Sequence, residues 1–222
     1  MSSSTQDRLA IVILAAGKGK RMKSDRPKVM LELTGWPLVR HVVETALKLR
    51  PERGLAVVEI VVQREQRGTG HAVRCAKKAL GDFEGTLLVL LGDVPLVTPG
   101  ELRSLCSTHR RKKAAVTVLT TEIPDPKGYG RILRGKNGRV TAIREHKDAT
   151  ASERAVNEVN TGIMAFRTDG LWATLSRLKA DNTQGEYYLT DAPRLLLEEA
   201  ERVESRKAKR SGAVRGIHSM AD

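Results

Sequence analysis

Apolar and polar positions along the chain alternate between two periods. Residues 9–14 (Leu-Ala-Ile-Val-Ile-Leu) and 87–91 (Leu-Leu-Val-Leu-Leu) are unbroken apolar runs. Such runs suit strands buried on both faces of a parallel sheet. The first stops at Ala15-Ala16-Gly17 and the second at Gly92-Asp93-Val94-Pro95. Between them, Gly35-Trp36-Pro37 opens a helix running to about Lys48, with Leu38, Val42, Thr45, Ala46 and Leu49 along the side that covers the first strand. Residues 55–62 form a β-rich stretch interrupted by Glu59, and a second helix runs from Thr69 to about Leu80. Further on, the pattern predicts a helix over 99–111, a strand over 114–120, a hairpin of 131–133 and 140–145 turning at Lys136-Asn137-Gly138-Arg139, and a strand over 156–166. A last helix follows Gln184 to Asp191 and reaches about Glu201; the Arg- and Lys-dense residues after it read as a frayed, solvated segment. The organisation is a flexible N-terminus (1–8), one α/β domain (9–201) and a basic C-terminal tail (202–222).

Chemistry collects where these elements end. Residues 15–21 carry almost no bulk near Gly17 and Gly19, so a ligand can approach the main chain and several N–H groups can face one anion. Lys18, Lys20, Arg21, Lys23 and Lys28 add cations suited to phosphate oxygens. The loop matches neither the P-loop pattern nor the three-glycine dinucleotide pattern. Taken alone, it could be a glycine turn with a solvated basic rim. In residues 63–72 (Gln-Arg-Glu-Gln-Arg-Gly-Thr-Gly-His-Ala), Gln63 offers an amide that can both donate and accept, as a base edge requires. The bland reading of that stretch is a helix start capped by Thr69. Asp93 lies just beyond a strand's carboxyl end, where open α/β sheets bind ligands, and can supply a carboxylate to Mg²⁺ or cap the turn. Two prolines and two glycines in residues 124–132 make a shaped loop, in which Gly130 permits close approach. Glu145 can accept bonds from hydroxyls. Asn160, polar among apolar neighbours, either ties down loop backbone or binds such a hydroxyl.

Composition narrows the ligand. With 39 Lys and Arg against 26 Asp and Glu, the formal charge of +13 favours anionic partners. Two Phe, two Trp and three Tyr are too few for a single-strand stacking platform, so nucleic acid is an unlikely partner, and Arg110-Arg111-Lys112-Lys113 reads as a helix end favoured by the helix dipole. Cys75 and Cys106 are too few for a disulfide framework. No apolar window spans a bilayer and the first seven residues lack a signal-peptide core, so a soluble, cytoplasmic protein without membrane contact is expected.

Leu14-Ala15-Ala16-Gly17-x-Gly19-x-Arg21-Met22 with Pro27-Lys28-Val29 resembles the N-terminal signature of the sugar-1-phosphate nucleotidyltransferases. Residues 63–72 resemble the uracil-reading loop of the N-acetylglucosamine-1-phosphate uridylyltransferases among them. Gly-Tyr-Gly-Arg-Ile (128–132), Glu-His-Lys-Asp-Ala (145–149), Asn-Thr-Gly-Ile (160–163) and Gln-Gly-Glu-Tyr-Tyr-x-Thr-Asp (184–191) follow in the order and approximate spacing of the uridylyltransferase half of the bifunctional bacterial enzymes. The resemblance implies a Rossmann-like nucleotidyltransferase fold, a mostly parallel mixed sheet with helices on both faces. It implies Mg²⁺-dependent, in-line transfer of uridylyl from UTP to N-acetylglucosamine 1-phosphate, with no general base required. By the same resemblance, Leu14, Ala15, Ala16, Gly17, Gln63, Gly68 and Thr69 would seat the uridine, and Arg21 and Lys28 would grip the triphosphate. Asp93 would hold Mg²⁺; Gly130, Glu145, Asn160 and Thr161 would hold the sugar phosphate.

The chain also departs from that pattern. Lys20 stands where the family has a small hydroxyl residue. Residues 49–63 are short by roughly twenty positions, a length outside ordinary loop variation. No Asn follows Asn182 to match the family's second metal ligand, and no hexapeptide repeat forms the left-handed β-helix acetyltransferase domain with its trimer contacts, so a monomer or weak oligomer is expected. These departures keep open an alternative, a truncated or decayed relative that binds nucleotide without turnover, or a nucleotidyltransferase for another sugar phosphate.

Overall fold

The computed structural model describes residues 8–16, 26–49 and 60–217. In chain order the elements are β1 (Leu9–Leu14), β2 (Glu32–Leu33), β3 (Trp36–Pro37), α1 (Leu38–Leu47), α2 (Thr69–Cys75), α3 (Lys77–Leu80), β4 (Thr86–Leu91), α4 (Pro99–Lys112) and β5 (Val116–Glu122). The hairpin β6 (Arg131–Arg134) and β7 (Val140–Arg144) comes next, then α5 (Ala151–Arg154), β8 (Glu158–Arg167), α6 (Leu171–Ser176), α7 (Ala192–Glu198) and β9 (Val203–Lys207).

The two apolar runs lie side by side. β1 and β4 pair in parallel, from Leu9 opposite Thr86 to Leu14 opposite Leu91, so both strands end at one sheet edge. The main sheet runs β1-β4-β8-β5-β9, with the β6–β7 hairpin attached through β6 to β8. It is mixed as anticipated but not mostly parallel, because β8 and the hairpin pair antiparallel with their neighbours. β1–β4 and β5–β9 are parallel, while the ten-residue β8 is antiparallel to both β4 and β5. Side-chain alternation along β4 explains the helices on both faces. Leu87 and Val89 pack with Val73 of α2, Leu175 of α6 and Leu195 of α7, whereas Leu88 and Leu90 pack with Val42 of α1 and Leu102 and Leu105 of α4. Each such buried side chain contributes about 1.5–3 kcal/mol by its removal from water.

Local signals account for the element ends. The Thr98 hydroxyl accepts from Glu101 N at 3.2 Å, Pro99 sits in the first turn of α4, and Lys113 closes that helix with φ 49°. This left-handed close delays β5 to Val116, two residues later than the pattern suggests. The last helix starts at Ala192, directly after the expected segment 184–191, which is a loop to Tyr188 and a 3-10 turn over 189–191, and it ends at Glu198, three residues short of Glu201. Pro193, which lacks an N–H, fits only the first turn of α7. The helix expected over 69–80 is broken at Ala76 into α2 and α3.

Two expectations change. Most of the β-rich stretch 55–62 lies outside the described residues; Ile60 and Val62 are 88% and 72% exposed and form no strand, since no described strand pairs with them. The tail is not frayed. β9 runs parallel to β5 with Val203 opposite Val116 and Lys207 opposite Thr120, and Val214 is fully buried. Its composition hid this, because an edge strand needs one apolar anchor and otherwise carries charge, as Glu204, Arg206 and Lys207 do here. No helix among the described residues is long and apolar enough to cross a membrane.

Candidate active site

The ladder of β1 and β4 sets the first half of the site. One further bond, Gly92 N–H to Leu14 O at 2.9 Å, continues it and brings Leu14 and Asp93 to the same edge. Lys28 arrives on the 3-10 turn Lys28–Met30, anchored by buried Val29, and its Nζ donates to Asp93 Oδ2 at 2.5 Å. Both side chains are largely buried, 13% and 19% exposed, so the pair is screened less than a surface pair. The tail returns here as well: Ile217 N donates to Asp93 O at 2.9 Å, and Gly216 lines the cleft beside the aspartate.

The hairpin sets the other half. Arg131 pairs with Arg144, so the next residues outward, Gly130 and Glu145, face each other across the hairpin's open end. A Cβ on residue 130 would stand 3.2 Å from Ile143 Cγ2 and 3.3 Å from Glu145 Oε1, which explains the glycine. Asn160 N donates to Gly130 O at 2.8 Å, drawing β8 to the same point. Asn160 Oδ1 accepts from Gly162 N at 2.9 Å, leaving its amide NH₂ as the donor toward the cleft. Buried Arg131 braces this wall by donating to the carbonyls of Tyr129 and Arg154. Thr190 Oγ1 donates to Glu145 Oε1 at 2.9 Å. Burial pushes the Glu145 carboxyl above the ordinary range; the Thr190 bond opposes this, and nearby Asp148, Asp191 and Glu186 add to the rise.

A third group sits at the start of α2. Gly68 precedes the helix at φ 99°, and a Cβ there would meet Tyr187 O at 2.8 Å. Thr69 does not cap its own helix: its hydroxyl accepts from Leu189 N at 3.0 Å and ties the loop to the 189–191 turn. Gln63 Nε2 lies 3.3 Å from Gly68 O and 3.0 Å from His71 Nδ1. Gln66 donates to Ala16 O, which seats this loop against the exposed Ala15-Ala16 end of β1.

Seven of the anticipated residues, Leu14, Thr69, Asp93, Gly130, Glu145, Asn160 and Thr161, line one cleft. Ala15, Ala16, Gln63 and Gly68 are not among the lining residues: Ala15 and Ala16 directly follow Leu14, Gly68 directly precedes Thr69, and Gln63 reaches Gly68 and His71; Lys28 reaches the cleft through Asp93. Gly17 and Arg21 lie outside the described residues. Thr161 differs from its expected use, because its hydroxyl is buried, donating to Leu119 O at 2.8 Å and accepting from Ile163 N at 3.3 Å, so it is engaged within the fold rather than offered to the cleft. Sequence reasoning assigned no role to Thr190, Tyr129, His71 or Gly216. Thr190 had a usable signal, a hydroxyl between Leu189 and Asp191 in a quoted motif; the others depend on tertiary contacts.

Asp93 fits a hard cation. It places a carboxylate at the cleft edge, and Mg²⁺ takes one or two carboxylates with substrate phosphates rather than a protein cage. Among the described residues no group of three or more His, Cys, Asp or Glu forms such a cage.

A sequence family described as a MobA-like NTP transferase domain matches residues 11–211. The chain is 45% identical over 230 positions to the "Bifunctional protein GlmU" of Streptomyces coelicolor, covering 95% of this chain and 48% of that protein. It is 47% identical over 206 positions to the protein of the same name from Mycolicibacterium gilvum, with 82% and 41% covered. The chain thus spans about half the length of these curated relatives. The alignment of 230 positions exceeds the chain's 222 residues, so the Streptomyces protein has residues for which this chain has no counterpart. Among solved structures, a UDP-glucose pyrophosphorylase complexed with UDP-glucose superposes with a TM-score of 0.72 at 20% identity, covering 92% of each chain, and so shares the fold.

Proposed function

Because the chain belongs to the MobA-like NTP transferase domain family, we propose that it transfers uridylyl from UTP to N-acetylglucosamine 1-phosphate, releasing pyrophosphate and forming UDP-N-acetylglucosamine. The observation that carries this reading is the convergence in one cleft of the Lys28–Asp93 pair with the Gly130, Glu145 and Asn160 cluster. A cation and a metal-suited carboxylate at one end match a triphosphate. A carboxyl, an amide and an open backbone at the other match a sugar bearing hydroxyls and an acetamido group.

Leu14, Ala15 and Ala16 with Gln63, Gly68 and Thr69 seat the uridine. Lys28 holds triphosphate oxygens, joined by Arg21, and its charge offsets the negative charge crowding at the α-phosphorus. Asp93 would hold Mg²⁺, which when bound would supply positive charge to offset that of the phosphates. Glu145, kept in place by Thr190, orients the sugar with Gly130 and Asn160, so that the phosphate oxygen of the sugar faces the α-phosphorus opposite the departing pyrophosphate. That oxygen is already anionic at neutral pH, and the chain needs no residue to deprotonate it.

Pyrophosphate release from purified protein, UTP, N-acetylglucosamine 1-phosphate and Mg²⁺, against an EDTA control, tests the reading. Metal-dependent release with both substrates is the expected result. The greater length of the aligned Streptomyces protein favours a second reading, nucleotide binding without turnover. A folded sample that binds UTP and releases nothing would select it.

A further inference from the structure

The orientation of the Gln63 side chain can be deduced from its two neighbours. One is the Gly68 carbonyl oxygen, 3.3 Å from Nε2, which can only accept. The amide group turned toward it is therefore NH₂, since a carbonyl there would set two oxygens against each other. The other neighbour is His71 Nδ1, at 3.0 Å from the same nitrogen. With one amide hydrogen on each, His71 Nδ1 is an acceptor and the imidazole proton sits on Nε2, which faces Cys75 Sγ at 4.0 Å. Both amide hydrogens are thus used inside the loop. Oε1 is left, and among the described residues nothing donates to it.

We infer that His71 is a positioning residue that holds the Gln63 amide with its carbonyl oxygen toward the base, and that this orientation makes the site select uracil over cytosine. The inference rests on the proposed uridylyl transfer, in which Gln63 reads the base. The N3–H of uracil donates, with carbonyl oxygens on either side. The corresponding nitrogen of cytosine accepts, and its exocyclic amine donates. A fixed acceptor at Oε1 suits the first and opposes the second. A freely turning amide would suit both, because rotating it by half a turn exchanges donor for acceptor. His71 provides the shorter of the two bonds that prevent this turn. It stands one turn into α2 from Gly68, on the segment that Thr69 and Gly70 tie to residues 187–189.

The test is equilibrium binding of UTP and of CTP, each with Mg²⁺, to the full chain and to His71 variants, so that the readout does not depend on turnover. His71→Phe removes the acceptor but retains a ring against Tyr187, whose centroid lies 6.5 Å away. The UTP-to-CTP affinity ratio should fall about tenfold in this variant, with an unchanged melting temperature. His71→Asn, whose amide oxygen can take the place of Nδ1, should restore the ratio to within about threefold of the parent. If His71→Phe does not fold, His71→Leu carries the same comparison.

An unchanged ratio in the acceptor-less variant, or equal weakening of both nucleotides, would overturn the inference and make His71 structural. A parent protein that binds both nucleotides alike and releases pyrophosphate from either would overturn it while sparing nucleotidyl transfer. Failure of the parent to bind either would remove both readings.

Discussion

Asp93 and Lys28 are 65 residues apart in sequence and form one ion pair, so their substitutions report on different quantities. Asp93→Ala removes the carboxylate suited to Mg²⁺ and should lower kcat at least 10²-fold, and by taking the partner from the largely buried Lys28 ammonium it should also lower the melting temperature; an undiminished rate at saturating Mg²⁺ would exclude it from the reaction. Thr190→Val is nearly isosteric and removes the donor to Glu145. It should raise KM for the sugar phosphate about 5- to 10-fold and leave KM for UTP in place; equal changes in both would make the bond purely structural. His109 is a buried residue outside the cleft, with Nδ1 3.1 Å from Thr117 Oγ1. Burial, aided by Arg167 and Arg110, lowers its pKa from 6.5 to about 4. A base with a depressed folded pKa binds its proton more readily when unfolded. Its contribution is therefore complete above about pH 6.5 and lost as pH falls toward 4, on the order of 2–3 kcal/mol. Urea midpoints measured from pH 7 to 4 should fall less steeply for His109→Asn than for the parent protein.

Among the elements, α4 and β8 show how local chemistry and pairing divide the work. α4 has its own start signal in Thr98 and Pro99, and its last turn carries His109, Arg110, Arg111 and Lys112, where cations favour the helix dipole. Its bounds were therefore legible almost to the residue. Thr98→Ala should cost about 1 kcal/mol through loss of the bond to Glu101 N, read as a lower urea midpoint at constant m-value; no change would mean that another group takes over the cap. β8 was recognisable as a strand from its apolar run. Its antiparallel pairing with both β4 and β5 was not, because a strand buried on two faces reads alike in either direction.

The whole molecule depends on its last residues more than its composition suggests. β9 completes the sheet beside β5, Ala208 N donates to Thr120 O at 2.8 Å, Lys209 N donates to Glu101 Oε1 at 2.8 Å, and Ile217 N closes on Asp93 O. Ending the chain after Glu201 should thus lower stability by roughly 3–6 kcal/mol, from Val203 and Val214 alone. The loss should appear in the melting temperature before any assay of nucleotide binding. A truncated protein melting with the parent would show that β9 adds nothing to the sheet.

What the sequence by itself determined was the strand ends that carry the site and the chemistry next to them: the glycine loop after β1, Asp93 after β4, Gly130 and Glu145 at the mouth of the hairpin, Asn160 inside β8. These were legible because apolar periodicity, turn residues and motif spacing are local properties, each read within about ten residues. Only the tertiary structure decided that these ends meet in one cleft, that Lys28 lies on Asp93, that Thr161 spends its hydroxyl on Leu119, and that the basic tail is a sheet strand returning to the site. Those outcomes rest on pairing between residues from 40 to more than 120 positions apart. Such pairing is chosen by which arrangement buries both faces of the sheet at once, a condition that no single stretch of sequence carries.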